Sequence, residues 1–281
     1  MRTRSIGPVQ VSAIGLGEMQ LSLADRPDED QAIRTIHAAL DAGVTLIDTA
    51  DAYCADGSEM GHGERLTATA LKAYGDTEHV LVATKGGHVR DLKGAWLTDG
   101  APAYLRQACD ASLTALGVDV IDLYQHHRPD PAVPYADTIG TLKELHDAGK
   151  VRMLGISNAD EAQIRQALDI CGDALVSVQN QYAPNFRSGE PELVLCGELG
   201  LAFLPWGPLG GAGKAGESAG SAFTEVAAEQ DVSPQQVALA WMMAKSPAVI
   251  PIPGSSRPET IRDSAAAAEL ELTADQLARL R

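Results

Sequence analysis

The sequence predicts a (β/α)₈ barrel, folded as a single domain over residues 1–281, with a short N-terminal β-hairpin closing the barrel bottom. Three observations carry that prediction. Short runs of apolar, branched residues alternate with helical patterns about eight times along the chain. The alternation repeats every roughly 25–45 residues, as βα units spread over about 250 residues require. No linker, low-complexity run or break in composition marks a second domain. A doubly wound sheet is the alternative, but its G-x-G-x-x-G turn after the first strand is missing. Here Gly15-Leu16-Gly17 continues as Glu18-Met19-Gln20.

The elements follow in order. Residues 2–12 alternate weakly around Gly7-Pro8, as a small hairpin does, and Ala13-Ile14-Gly15-Leu16 reads as the first buried strand. Ile33, Ile36 and Leu40 mark a helical face, followed by the strand Val44–Asp48. A helix over Leu66–Tyr74 leads to the strand Val80–Thr84, which ends at Lys85. Leu105, Cys109, Leu113 and Leu116 form one helical stripe, and Val120–Tyr124 is a strand running into His126-His127. Ile139, Leu142 and Leu145 give a helix before the strand Val151–Ile156. Asn158 and Glu161 have the spacing of a capping box, with Ile164, Leu168 and Cys171 on the buried side of the helix that follows. Leu175–Val178 is a strand ending at Gln179, and Leu201–Leu204 one ending near Trp206. Val237–Met243 is helical, Ala248–Ile252 the last strand and Ile261–Leu270 a closing helix.

Composition narrows the function. The net charge of −16 argues against a nucleic-acid surface, so any anion site has to be a local positive feature in a negative field. Cys54, Cys109, Cys171 and Cys196 are far apart and form no C-x-x-C pair, which fits a reducing compartment without a disulfide framework or zinc ribbon. The first residues lack the apolar run of a signal peptide, and no segment approaches about eighteen continuous apolar residues. The expectation is a cytoplasmic protein with no membrane partner, a monomer or weak homo-oligomer acting on small molecules.

In a barrel the C-terminal strand ends face the active-site mouth. Strand by strand, this chain presents Gly17-Glu18-Met19, Asp48 with Tyr53, Lys85, His127, Ser157-Asn158, Gln179, Trp206 and Ser255-Ser256-Arg257. Each has a plain structural explanation alone: a lysine after a strand is usually a solvated cap, and a histidine a satisfied hydrogen bonder. Core packing does not account for polar residues at so many strand ends. Together they suggest proton transfer at an alcohol oxygen. A phenol with a pKa near 10 donates poorly at neutral pH unless its anion is stabilised. A Lys85 ammonium beside Tyr53 supplies that stabilisation, Asp48 holds the lysine, and His127 orients and polarises a carbonyl oxygen. No nucleophile or metal is evident, so hydride from a cofactor is the natural second reactant.

These residues resemble the aldo-keto reductase family over nearly the whole chain, about residues 3 to 275. The resemblance lies in Ile47-Asp48-Thr49-Ala50-Asp51-Ala52-Tyr53, Thr84-Lys85, Asp122-Leu123-Tyr124-Gln125-His126-His127-Arg128-Pro129 and Gly155-Ile156-Ser157-Asn158. It implies a catalytic tetrad of Asp48, Tyr53, Lys85 and His127, with NADPH (NADP+) as cofactor and a small aldehyde or ketone as substrate. His126 then points toward the helix layer or the rim, because neighbouring strand residues face opposite ways. The resemblance also implies that Ser157, Asn158 and Gln179 bind the nicotinamide carboxamide and that Trp206 stacks on the ring. Gly17 and Met19 would complete that wall. Gly207, Pro208, Leu209 and Gly210 would begin the loop over the pyrophosphate. Ser256-Arg257-Pro258-Glu259 reads independently as a helix start with a serine cap. Ser255, Ser256 and Arg257 there would hold the 2′-phosphate.

Two positions depart from the family pattern. Gly254 stands where a cation often follows the last strand, which softens the expected preference for NADPH over NADH. Asp263-Ser264 stands where Glu-Asn is common, which weakens the expected adenine contact. Glu18, Met19, Trp96 and the loops 54–62, 86–100 and 211–221 are the candidate substrate-pocket elements. Two other functions fit the same outline. A metal-dependent barrel enzyme needs several inward ligands, and the early strands carry no H-x-H. A cofactor-binding regulatory protein of the same fold with little turnover is the other, and the complete tetrad argues against it.

Overall fold

A computed structural model of the chain describes residues 1–210 and 220–280. The predicted loop 211–221 therefore lies mostly outside the described residues. An antiparallel hairpin, β1 (Thr3–Ile6) and β2 (Val9–Ser12), opens the structure. Its turn needs Gly7, which has φ +53°, and a Cβ there would sit 2.5 Å from Val176 Cγ1. Strand β3 (Leu16–Gly17) precedes helix α1 (Glu29–Asp41), and β4 (Leu46–Asp48) precedes α2 (His62–Tyr74). Strand β5 (Leu81–Gly86) runs into a second hairpin, β6 (His88–Arg90) and β7 (Trp96–Thr98), and then α3 (Pro102–Leu116). Then come β8 (Ile121–His126), α4 (Tyr135–Asp147), β9 (Val151–Ser157), α5 (Glu161–Cys171), β10 (Leu175–Gln179), α6 (Glu190–Leu199) and β11 (Ala202–Phe203). The last helices are α7 (Ser221–Gln230), α8 (Pro234–Lys245), α9 (Pro258–Ala266) and α10 (Ala274–Arg279). Among the described residues no helix is long and apolar enough to cross a membrane.

Seven strands pair in parallel in the order β11-β10-β9-β8-β5-β4-β3. The eighth stave, expected as a strand over Ala248–Ile252, is an irregular segment bridged at Phe203↔Val249 and Gly17↔Gly254. Its register is still pinned on both sides. Phe203 N donates to Ala248 O (2.8 Å) and Gly17 N to Pro253 O (3.0 Å). Pro251 and Pro253 have no N–H to give, so a full ladder cannot form there. Gly17 suits that seam, since a Cβ would lie 2.7 Å from Ile252 O.

Strand alternation decides which side chains reach the mouth. Leu46, Leu81, Ala83, Leu123 and Met153 face the barrel interior together with Ile250 and Ile252. Ile6 and Val11 of the first hairpin join this cluster, so the hairpin plugs the bottom as expected. Continuing each strand in steps of two brings Asp48, Lys85, Gln125, His127 and Ser157 to the same inner face. Ile47 belongs to the outer layer with Ile36, Leu40 and Leu66, and Tyr124 to the outer layer with Ile139 and Leu142. His126 is on that outer side, its ring 6.0 Å from Tyr135.

Two helix starts differ from expectation. The capping box of α5 is made by Asp160 and Gln163, not Asn158 and Glu161: Gln163 N donates to Asp160 Oδ1 (2.8 Å) and Asp160 N to Gln163 Oε1 (3.1 Å). Asn158 has a left-handed backbone (φ 57°) and turns the chain two residues before the helix begins. At α9 the cap position is Arg257, with no side-chain cap, because the helix starts one residue later than Ser256 needs. Pro258 does sit in its first turn, where a missing N–H costs nothing.

Candidate active site

A cavity of ≈ 1080 Å³ opens at the C-terminal ends of the strands, just above the usual size range of ligand pockets, about 300–1,000 Å³. Asp48, Tyr53 and His127 line its deep end, and Lys85 is fully buried behind them. Lys85 Nζ donates to Asp48 Oδ2 (2.6 Å), to Thr49 O (2.7 Å) and to Tyr53 Oη (3.0 Å). The other Asp48 oxygen accepts from Gln125 Nε2 (3.0 Å) and Gln179 Nε2 (2.8 Å). The tetrad carboxylate is therefore tied by an ammonium on one side and two amides on the other, which fixes its rotamer and the lysine's. The Tyr53 and His127 rings meet edge to face at 5.7 Å, leaving both polar tips at one wall of the cavity.

Burial sets the protonation of these groups. It pushes the Tyr53 phenol above its ordinary 10, and the nearby Lys85 charge opposes that shift without cancelling it. The expected lowering of the phenol by Lys85 is thus present as a force but not as a net result. Burial pulls the Lys85 ammonium down, yet the Asp48 and Tyr53 charges and hydrogen bonds outweigh it and leave Lys85 raised. Burial, reinforced by Lys85, holds His127 well below 6.5, so the imidazole is neutral at physiological pH. Three further carboxyls surround the lysine. Burial raises Glu18 to about 8 and drives Asp51 and Glu64 upward as well. Their carboxyls find hydroxyls: Ser22 and Thr49 on Glu18, Thr84 on Glu64 (2.6 Å).

Most predicted cofactor residues line the same cavity. Gly17, Met19, Ser157, Asn158, Gln179 and Trp206 lie around the deep end, and Gly207, Pro208 and Leu209 continue from Trp206. Ser255, Ser256 and Arg257 line the far end. Gly210 does not line it; its N–H closes a turn onto Gly207 O (2.9 Å). Glu18 is likewise off the cavity wall, fully buried behind Asp48, so it is not a pocket residue. Asn158 Nδ2 bonds His127 O (3.0 Å), and Ser157 Oγ donates to Gln179 O (2.7 Å), which locks these strand ends together. The Trp206 Nε1 is buried without a hydrogen-bond partner among the described residues. Asp263, also on the wall, is occupied by Ser233 Oγ and Gln236 Nε2, both at 2.6 Å.

The sequence model of the aldo/keto reductase family matches residues 13–281. The chain belongs to that family. It is an oxidoreductase by that membership, and the barrel is the family fold. The 6-dehydroglucose reductase of Novosphingobium aromaticivorans is 36% identical over 271 residues, covering 92% of this chain and 87% of that protein. Among solved aldo/keto reductase folds, the glycerol dehydrogenase of Gluconobacter oxydans superposes with a TM-score of 0.86 at 26% identity, covering 99% of this chain and 93% of that one. An aldo/keto reductase of Klebsiella pneumoniae in complex with NADP and acetate superposes at 0.82 with 26% identity, with the same coverages.

His88 and Trp96 place the expected loop 86–100 on the wall, whereas Arg128 and Gln20 are among the wall residues that the sequence alone does not single out. Arg128 belongs to the Asp122–Pro129 motif, but strand alternation gives no direction to a residue just past the strand end. His88 stacks on Trp96 at 4.6 Å and meets His127 edge to face at 4.8 Å, so the β6–β7 hairpin is folded over the reductase mouth. Gln125 was missed as the amide holding Asp48, though its inward register, two residues before His127, was readable. Among the described residues, no group of three or more His, Cys, Asp or Glu side chains is placed to hold a metal ion.

Proposed function

We propose that this chain reduces an aldehyde or ketone to the alcohol with NADPH, using Tyr53 as proton donor. The observation that carries this reading is the contact of the Tyr53 hydroxyl with an ammonium, Lys85 Nζ at 3.0 Å, itself bound to Asp48 at 2.6 Å. The residues present fit a nicotinamide dinucleotide. The cavity runs from the tetrad to the start of α9, and its walls offer an indole with an unpartnered N–H among the described residues, followed by Gly207, Pro208 and Leu209. When bound, NADPH supplies a hydride to the carbonyl carbon.

The chain does the rest. Ser157, Asn158 and the Gln179 carbonyl oxygen would fix the carboxamide end, and the Trp206 ring would cover the nicotinamide with Gly17 and Met19 beside it. Ser255, Ser256, Arg257 and the free amides of α9 would take the 2′-phosphate. Neutral His127 donates a hydrogen bond to the substrate oxygen and holds it beside Tyr53 Oη. Tyr53 gives its proton to that oxygen as negative charge develops there, and Lys85 stabilises the phenolate left behind. Asp48, with Gln125 and Gln179 on its other oxygen, keeps the ammonium aimed at the phenol. Burial of the whole cluster strengthens each of these interactions. The test is a panel of aldehydes and ketones followed by NADPH absorbance. Saturable consumption supports the reading, and tight NADPH binding with no turnover across the panel supports the regulatory alternative.

A further inference from the structure

Beyond the tetrad, the substrate end of the cavity has a charge pattern that the reaction does not use. The chain carries 38 acidic against 22 basic residues, yet among the described residues the side chains that line this end are, apart from Asp48, basic or neutral. Arg128 lines the wall one residue after His127. Its recorded partner is neutral: one guanidinium nitrogen donates to Asn158 Oδ1 at 3.3 Å. Behind the wall Arg90 lies 4.0 Å over the Trp96 ring and donates to Ala55 O (2.8 Å), again without a carboxylate among the described residues. Asp48, the acid at this end, is already bound by Lys85, Gln125 and Gln179. The acids on the cavity wall, Glu259 and Asp263, lie at the far end on α9, and Asp263 is occupied. Burial is the main cause that lowers the protonation of His88 and His127, and Arg128 adds to it at both rings and Arg90 at His88, so the Arg128 charge is felt beside the tetrad. Trp96, with His88 stacked on its ring and Arg90 over it, serves to hold the hairpin in place.

We propose that Arg128 is a substrate-binding residue and that the substrate is a carbonyl compound bearing an anionic group, a carboxylate or a phosphate, a few bonds from the carbon that is reduced. This rests on the carbonyl reduction proposed above. With the substrate oxygen between Tyr53 and His127, the anion would meet the guanidinium of the next residue, a planar fork suited to two-point binding of either group. The neutral His88 edge next to it is free to donate one more hydrogen bond. A charge-assisted contact of this kind is worth about ten- to a hundred-fold in affinity.

The test compares matched pairs of equal reach: succinic semialdehyde against butanal for a carboxylate, and glyceraldehyde 3-phosphate against glyceraldehyde for a phosphate. Each is assayed on the whole protein and on Arg128→Gln. The expected result is a kcat/KM preference of about ten-fold or more for the charged member of at least one pair, reduced by added salt and collapsing in Arg128→Gln. Whichever pair shows it identifies the anion. Equal kcat/KM within both pairs, or a preference that persists in the variant, overturns the proposal. So does a variant that only binds NADPH more weakly, because Arg128 would then serve the cofactor through Asn158. Binding of 4-hydroxybutyrate and butan-1-ol to the NADP+-loaded protein is measured alongside. Glycerol 3-phosphate and glycerol are compared in the same way. If no aldehyde is reduced, the reductase reading fails, while tighter binding of the charged member of either pair that is lost in Arg128→Gln still supports the anion site and equal binding within both pairs still refutes it.

Discussion

Lys85 Nζ lies 3.0 Å from the Tyr53 hydroxyl and 2.6 Å from Asp48 Oδ2, with none of the three side chains more than slightly exposed. Two consequences follow from that contact. The phenol loses its stabilising cation if the lysine is removed, and Asp48 is left as a buried charge with only two amides. We therefore expect Lys85→Met to lower kcat by roughly 10²–10⁴-fold and to lower Tm as well, since breaking a buried ion pair typically costs about 3–5 kcal/mol. NADPH binding should persist where the variant is folded. A variant with near-normal kcat would remove the lysine from the proton-transfer step.

Trp206 faces the cavity, whereas Trp241 is stacked on Tyr182 at 5.8 Å and Trp96 on His88. NADPH should quench tryptophan fluorescence mainly through Trp206. Trp206→Ala should remove most of the quenching and weaken cofactor binding. Quenching that survives unchanged in the variant would assign the signal to Trp96 or Trp241.

Glu18 gives a pH signature. Burial raises its folded pKa to about 8 from 4.5. The folded state then binds the proton more tightly than the unfolded chain, so stability is lost as pH rises from about 4.5 to about 8. Glu18→Gln removes that loss. Its Tm relative to wild type should climb across this window and level off above it. A constant difference in Tm from pH 5 to pH 8.5 would mean that Glu18 is already ionised in the fold.

Arg257 is exposed at the cap of α9, with Gly254 in the position of a possible second cation. NADPH should be preferred over NADH, but less steeply than with two cations. Arg257→Ala should weaken NADPH by about ten-fold or more, as for one charged hydrogen bond, and leave NADH nearly unchanged. Equal losses for both cofactors would show that Arg257 does not read the 2′-phosphate.

The sequence made the gathering of Asp48, Lys85, His127 and Ser157 legible because strand alternation is strict. Once Leu46, Leu81 and Leu123 face inward, the polar residue that ends each strand must face the mouth. The opposite orientation of His126 follows from the same rule. What resisted reading depends on contacts between distant segments. The eighth stave looked like a strand because Ala248–Ile252 is apolar, but Pro251 and Pro253 withhold the N–H groups a ladder needs. Glu18 sits among cavity residues in sequence, and only the packing of α2 and Thr49 against it shows that its side chain turns away. The start of α5 was misplaced by two residues because a left-handed Asn158 leaves no pattern in composition. Arg128 reaches the mouth through a loop, where period gives no direction.

The most direct test of the account is Tyr53→Phe, assayed for NADPH-dependent reduction and, separately, for NADPH binding. The substitution removes one oxygen from a ring that stays packed against His127 and leaves the Lys85–Asp48 pair in place. We predict a fall in kcat of roughly 10²–10⁴-fold with cofactor affinity almost intact. Retention of more than about a tenth of wild-type kcat, well short of the loss expected for a positioned acid, would contradict the assignment of Tyr53 as proton donor.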